Sequence, residues 1–308
     1  MLTPDECVKQ GINPYGGYWG GEILCHQSVS TKNKKYFSTN EVDILGDRMK
    51  ALEAKYDQRV PDDHIVVVRL DGKGFSNFTR PLKEKEPFHP CFTQAMVQTC
   101  KKLMNMFGGE ISTAYTHSDE ITLILPPVPK ADDPKRQATR AYNGRVSKLL
   151  TLFSATASVA FNDALREALK VAKEDSLSQL YENYIGVFDA RILSFEDTNL
   201  LTDHQKWRST FDCYRNCVSS YVRCYFSAKM CHKKKTPELI QMMLTKGFDF
   251  VNQVPNYLKH GIHVKRYQRD ERTDLSARSF IIREDVSDLL LAKYWPEDSR
   301  SFAHEIGL

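Results

Sequence analysis

The run HIVVVRLDGKGF, residues 64–75, constrains the fold more than any other stretch. Four consecutive β-branched residues, Ile65 to Val68, favour a pleated surface over a helix. With Leu70 they define a buried strand over 64–70 that runs straight into Asp71 and Gly72. Asp-Gly is a common turn dipeptide, so the strand could simply end there. Alternatively, Asp71 is a carboxylate held at the C-terminal edge of a strand, where it can grip a metal.

The flanking pattern supplies a partner. A helix is expected from about Val42 to Tyr56, ahead of the strand. A loop with prolines at 81, 87 and 90 follows the strand, and residues 92–107 then put Phe92, Met96, Cys100, Leu103 and Phe107 on one helical face. Gly108 and Gly109 stop that helix. ISTAYTHSDEITLIL, 111–125, reads as two short strands joined at His117 to Glu120. Strand, crossover helix, strand predicts that the first two strands lie parallel and adjacent. That order places Asp71 beside Asp119.

Beyond the Pro-rich loop 126–134, a long helix is expected from about Arg136 to Ala172. An apolar strand near 184–188 closes the sheet ahead of Asp189, and 204–254 is mostly helical. The chain divides into an irregular extension (1–40), a catalytic domain (41–200), a helical region with a basic segment (201–275) and a tail (276–308).

Composition bounds the function classes. The 308 residues are 41% hydrophobic and 27% charged, which suits an ordinary globular chain. No apolar run approaches the roughly 18–20 residues of a membrane span. The N-terminus lacks a secretory pattern, and Asp5 and Glu6 argue against a mitochondrial presequence, so a cytoplasmic address is expected. Eight dispersed cysteines without a C-x-x-C pair suit a reducing compartment. Cys213, Cys217, Cys224 and Cys231 fit one helical stripe, which packs as a face but cannot converge on zinc. The net charge of +4 is mild, yet it concentrates in Lys233–Lys235 and in KHGIHVKRYQR, 259–269. Such runs are either solvated surface or phosphate-tracking surface.

Two Asp side chains a few ångströms apart repel unless a cation lies between them. Oxygen donors suit magnesium, which binds through one or two carboxylates plus substrate phosphates. Two such ions activate a hydroxyl and neutralise a leaving pyrophosphate. Glu120 alternates to the other side of a strand from Asp119. Gly72-x-Gly74 lacks the third glycine of a dinucleotide fingerprint, because position 77 is Asn, and no P-loop motif exists. Backbone amides of the DGKGFS turn still permit close approach to a nucleotide. Arg145 and Lys148, three apart on the long helix, form either a solvated basic pair or a triphosphate clamp.

These residues resemble the tRNA-His guanylyltransferases and their relatives, the 3′–5′ polymerases. The likeness covers roughly 43–265 in motif order: LGDRMKALE (45–53), VVRLDGKGF (67–75), AYTHSDEITL (114–123), RVSKLLTLFSATAS (145–158), FDARILSF (188–195) and WRSTFDCYRN (207–216), then GFDFVNQVPNYLKHG (247–261). The resemblance implies an α+β fold with a polymerase-palm-like (ferredoxin/RRM-like βαββαβ), antiparallel-containing sheet and added helices. It implies addition of nucleotides to the 5′ end of tRNA, after activation of that end by a nucleoside triphosphate such as GTP or ATP. It also implies two Mg2+ ions on Asp71, the Gly72 carbonyl and Asp119, with Asp71, Asp119 and Glu120 catalytic. The nucleotide would meet Asp71, Gly72, Lys73, Gly74, Phe75, Ser76, Ser118 and Asp119, with Arg145 and Lys148 on its phosphates. Dimers or tetramers are implied in the same way.

The chain departs from the family pattern at named places. Where the family has Lys-Pro followed by Asp, this chain reads FHPCFTQAM, with His89 and Phe92, leaving Lys83 or Lys85 to supply a phosphate contact. His117 stands where Gln is common. After Asp212 come Tyr214, Arg215, Asn216 and Cys217 in place of a His-Ile-Asn-Asn-like motif. That resembles the broader group that repairs truncated tRNA 5′ ends against the opposite strand. Arg215, Asn216, Lys259, Lys265 and Arg266 are the candidate RNA contacts. A tRNA-His-specific enzyme, a palm-type nucleotidyl cyclase and a silent RNA-binding protein are the alternatives.

Overall fold

The structure is a computed structural model that describes residues 39–82, 87–107, 110–130, 138–267 and 279–283. Most of the expected 1–40 extension, Lys83, Lys85, Gly108, Gly109 and most of the 276–308 tail lie outside these residues. The chain divides into two compact units, Met1–Gln58 and Arg59–Leu308. The described part of the first is a helix, α1, Thr39–Ala54.

The second unit is built on one antiparallel sheet. Its strands are β1 (Ile65–Gly72), β2 (Thr113–His117), β3 (Glu120–Leu125), β4 (Phe188–Phe195), β5 (Ile262–Tyr267) and β6 (Ser279–Arg283). Their spatial order is β4-β1-β3-β2-β5-β6. β1 and β2 are parallel, as the crossover predicts, but they are not adjacent. β3 hairpins back from β2 and inserts between them, pairing antiparallel with both.

Period-two alternation divides β1 between two layers. Val66, Val68 and Leu70 enter the main core with Met96, Leu103, Phe153 and Phe161. These last four come from helices α2 (Pro90–Met106) and α3 (Val146–Val171), which cover that face of the sheet. Val66, Val67, Val68 and Leu70 are fully buried, each stabilising the fold by roughly 1.5–3 kcal/mol. Ile65 and Val67 face the other way, against Ile124, Leu193 and Leu201. Asp71 shares the parity of Val67 and therefore lies on the face away from α2 and α3.

Three elements differ from the expectations. The long helix begins ten residues late, because Tyr142 and Asn143 adopt left-handed φ of 56° and 55° in a 3-10 turn, Ala141–Gly144. β4 begins at Phe188 instead of ending there, so Asp189 lies inside the strand. Asn162 of α3 fixes this entry by bonding both the N–H and the carbonyl of Gly186, at 2.9 and 2.7 Å. The cysteine stripe breaks after α6 (Cys213–Tyr225). Cys213 and Cys217 are buried on that helix, Cys224 is exposed, and Cys231 belongs to a separate turn.

The remaining described helices of nine or more residues, besides α6, are α4 (Asp175–Asn183), α5 (Thr198–Lys206) and α7 (Thr236–Leu244). Asp197 caps α5 by accepting from the Asn199 and Leu200 N–H groups at 2.7 and 2.9 Å. α5 widens into a π-helical turn, Trp207–Asp212, and continues directly as α6. β5 takes up residues of the basic run 259–269, expected as surface, either solvated or phosphate-tracking, and pairs with β2 on one side and β6 on the other.

Candidate active site

Backbone register assembles the carboxylates. Asp71 pairs with Glu120 on β3 and with Asp189 on β4, so three acidic residues lie in line across neighbouring strands on one face. The Gly72 N–H donates to the Asp119 carbonyl at 3.0 Å, which locks the end of β1 onto the two-residue turn Ser118–Asp119. That turn is tight enough to hold Ser118 at a left-handed φ of 52°, and the Ser118 hydroxyl donates to the Asp119 carboxylate at 3.1 Å. Asp71 and Asp119 are thus brought to one edge.

Cations from the same face neutralise this row. Arg191 lies 3.4 Å from Asp71 and 3.8 Å from Asp189. Arg208, buried in the π turn, pairs with Glu120 and, at 2.5 Å, with Asp212. Asp212 also holds Arg215 at 2.6 Å. Glu120 is therefore tied to a structural arginine. Asp189, Arg191 and Arg208 were not singled out from the sequence, although all three fall inside the FDARILSF and WRSTFD motifs.

The segment after β1 is shaped by glycine. A Cβ on Gly72 would stand 2.5 Å from the Phe75 ring, and Gly74 caps the one-turn helix Phe75–Phe78 at φ 70°. Phe75 itself is buried among Phe78, Phe161 and Phe188, with ring centroids 4.8, 5.3 and 5.1 Å away. Lys73 is exposed, and its N–H donates to the Val187 carbonyl at 2.8 Å. A cavity of about 220 Å³ opens beside this turn, bordered by Phe75, Ser76, Ser118, Asp119, His89 and Arg223. His89 caps α2, its Nδ1 accepting from the Cys91 N–H at 3.2 Å. His89 and Phe92 thus line the cavity where the family pattern has Lys and Asp.

Other candidates lie elsewhere. Arg145 bridges to Arg59, and the neighbouring Gly144 carbonyl accepts from the Val60 N–H at 2.9 Å. Those partners precede β1, whereas Asp71 lies near its far end, six residues or roughly 20 Å along the strand from Ile65. Within one chain, Arg145 and the exposed Lys148 therefore do not meet the acidic edge. Lys259 is buried, and its ammonium donates to the Val251 carbonyl at 2.9 Å, so it presents no charge to a phosphate. Lys265 is half-buried on β5, where desolvation lowers its pKa, and the Arg266 side chain lies outside the described residues. Arg215 and Asn216 are exposed on α6.

His117, just before the turn, is buried and donates from Nε2 to the Leu258 carbonyl at 2.9 Å. Burial lowers its pKa from 6.5 to about 4, and Arg208 and His260 add to the effect. The folded value lies below the unfolded one, so the related stability is complete above pH 6.5 and is lost as pH falls to about 4. The expected loss is roughly 3 kcal/mol, measured by urea unfolding between pH 7 and pH 4. His117→Gln, which keeps a donor toward Leu258, should remove that component. An unchanged pH dependence in the variant would rule it out.

The donor set at the edge fits magnesium. It offers two carboxylates and the Gly72 carbonyl, all hard oxygens, with Asp71 one-third exposed. Among the described residues no cluster of three or more His, Cys, Asp or Glu forms a closed metal cage. No described helix is long and apolar enough to cross a membrane.

Comparison with known proteins bears on the fold and the family. A family model described as tRNAHis guanylyltransferase matches residues 46–196. An uncharacterised protein of Acanthamoeba polyphaga mimivirus is 38% identical over 231 residues, covering 72% of this chain and 77% of its own. The tRNA(His) guanylyltransferase of Debaryomyces hansenii is 27% identical over 260 residues, covering 77% and 91%. The solved structure of a bacterial tRNA(His) guanylyltransferase-like protein in complex with ATP shares the fold, with a TM-score of 0.61 at 23% identity over 73% of this chain and 87% of that one. With its palm-like sheet and its acidic edge, this chain belongs to the tRNA-His guanylyltransferase family of tRNA nucleotidyltransferases.

Proposed function

We propose that this chain adds nucleotides in the 3′–5′ direction to the 5′ end of tRNA, directed by the opposite strand, as in repair of truncated ends. The observation that carries this reading is the backbone-locked junction of Asp71 and Asp119 beside a cavity sized for part of a nucleotide. ATP or GTP is the activating substrate. The ATP held by the structural neighbour named above supports that choice.

Asp71, Asp119 and the Gly72 carbonyl would hold two Mg2+ ions, whose chemistry is to lower the pKa of the attacking hydroxyl and neutralise the leaving pyrophosphate. The chain's own residues do the positioning. Ser76 and Ser118 offer hydroxyls to the nucleotide, the 73–76 backbone approaches its phosphates, and Phe75 stiffens the turn from beneath. Tyr214, Arg215, Asn216 and Cys217, in place of the His-Ile-Asn-Asn-like segment, favour the templated activity over tRNA-His-specific guanylylation. A dimer or tetramer, as the family resemblance implies, and a cytoplasmic address complete the proposal.

The test is a labelled, 5′-truncated tRNA incubated with magnesium and each nucleoside triphosphate in turn. The expected product is extended by the nucleotide that pairs with the opposite strand. No extension of any tRNA would sink the proposal. A cyclic nucleotide product would favour the cyclase, and G added only to tRNA-His without regard to template would favour the specific guanylyltransferase.

A further inference from the structure

A second, larger cleft of about 630 Å³ opens between α6 and the turn that leads into α7. One wall is a stripe on α6, where Arg215, Ser219 and Arg223 recur every four residues. The opposite wall is Lys233, Lys234 and Lys235, and among the described residues no aspartate or glutamate lines the space. Lys233 adopts a left-handed φ of 60°, a conformation lysine rarely takes. The chain reverses there, so that three consecutive lysines border the same space as the α6 stripe.

Most of the charge on these walls is not spent in ion pairs among the described residues. Arg215 pairs with Asp212 at 2.6 Å, but among the described residues no ion pair engages Arg223 or the three lysines. Glu238, the nearest acid in sequence, accepts from the Lys235 backbone N–H at 2.7 Å in a helix cap. A concave cluster of like charges repels itself, and it is favoured only where an extended polyanion fills it. The volume exceeds what one phosphate needs. Arg223 also borders the smaller cavity that contains Ser118 and Asp119, so the two spaces share a wall.

We propose that this cleft holds the phosphodiester backbone of the RNA whose 5′ end enters the adjoining nucleotide cavity, with Arg223 at the junction. The proposal rests on the nucleotide-addition reading above and names the surface that delivers the RNA. Contacts of this kind position a strand without reading its sequence, so one cleft serves RNAs with different 5′ ends.

The experiment measures binding of a fluorescent 5′-truncated tRNA to the full chain between 50 and 200 mM KCl. It compares wild type, Lys233→Gln/Lys234→Gln and the charge-preserving Lys233→Arg/Lys234→Arg. Each phosphate neutralised contributes about 0.7 to the salt slope on a single strand, so the Gln pair should flatten log K against log salt by roughly 1.4. Affinity at 50 mM should fall about tenfold or more, with the Arg pair close to wild type and binding of fluorescent ATP unchanged. Equal slope and affinity in a folded Gln variant would overturn the cleft, as would lysine-dependent binding to phosphatidylserine vesicles without any effect on RNA. The two claims fail separately. RNA binding that tracks the lysines without nucleotide addition would remove the catalytic reading alone, whereas normal RNA binding and addition by the Gln variant would remove the cleft alone.

Discussion

Asp71→Asn and Asp119→Asn should each lower 5′-end nucleotide addition by roughly 10³-fold or more, about 4 kcal/mol of transition-state stabilisation. Both amides are nearly isosteric with the carboxylates, so the main change is the loss of a hard anionic oxygen donor. Asp71 loses little else, because its partner Arg191 is half exposed and such pairs are worth about 0–1 kcal/mol. The Gly72 N–H bond to Asp119 uses the backbone carbonyl, which the substitution leaves in place. Activity should therefore collapse while the melting temperature hardly moves. Single-turnover rates with saturating tRNA and nucleoside triphosphate read the first effect, and calorimetry reads the second. A variant that keeps activity within tenfold of wild type would remove that carboxylate from the catalytic centre.

What the sequence made legible follows from which interactions are local. The β-branched run, the Asp-Gly stop and the SD turn between two short strands are short-range signals, and they placed Asp71 and Asp119 together. The insertion of β3 between β1 and β2 is not local. A crossover helix specifies that two strands run parallel, but whether a third returns into the gap depends on pairing across the whole sheet. β4 was set too early because its apolar lead-in, Tyr184 to Val187, outweighed a strand that is half exposed along most of its length.

Charge patterns misled in a different way. KHGIHVKRYQR reads as basic surface, solvated or phosphate-tracking, yet β5 lies inside the sheet, and Lys259 buries its stem while satisfying its ammonium on a carbonyl. Arg145 and Lys148 sit at the start of α3, as their i, i+3 spacing requires. Which end of the sheet that helix start faces is a tertiary fact with no trace in the local pattern. Arg208 was invisible for the same reason: its partner Glu120 lies 88 positions away in sequence.

Arg208 carries the second large effect, and it is structural. Its side chain is 5% exposed, and its guanidinium bridges Glu120 on β3 to Asp212 at the head of α6. The π turn it occupies widens the helix at the point where Arg208 reaches the sheet. Around it, Tyr115 donates from its hydroxyl to the His260 carbonyl at 2.9 Å, and Cys213 lies 2.8 Å from that hydroxyl. Together with His117 on Leu258, these contacts clamp the β2–β3 hairpin, and hence Asp119, against the helical layer. Arg208→Met would keep much of the volume but leave Glu120 without its cation, while Asp212 would retain Arg215. Breaking a buried pair from one side costs about 3–5 kcal/mol, and in a chain of this size each kcal/mol lowers Tm by about 2–4 °C. We therefore expect Tm to fall by roughly 10 °C, with part of the loss recovered in Arg208→Met/Glu120→Gln, because the second change removes the stranded charge. Additive losses in the double variant would show that Glu120 and Arg208 stabilise the hairpin independently. An unchanged Tm in Arg208→Met would show that packing alone holds Asp119 in place.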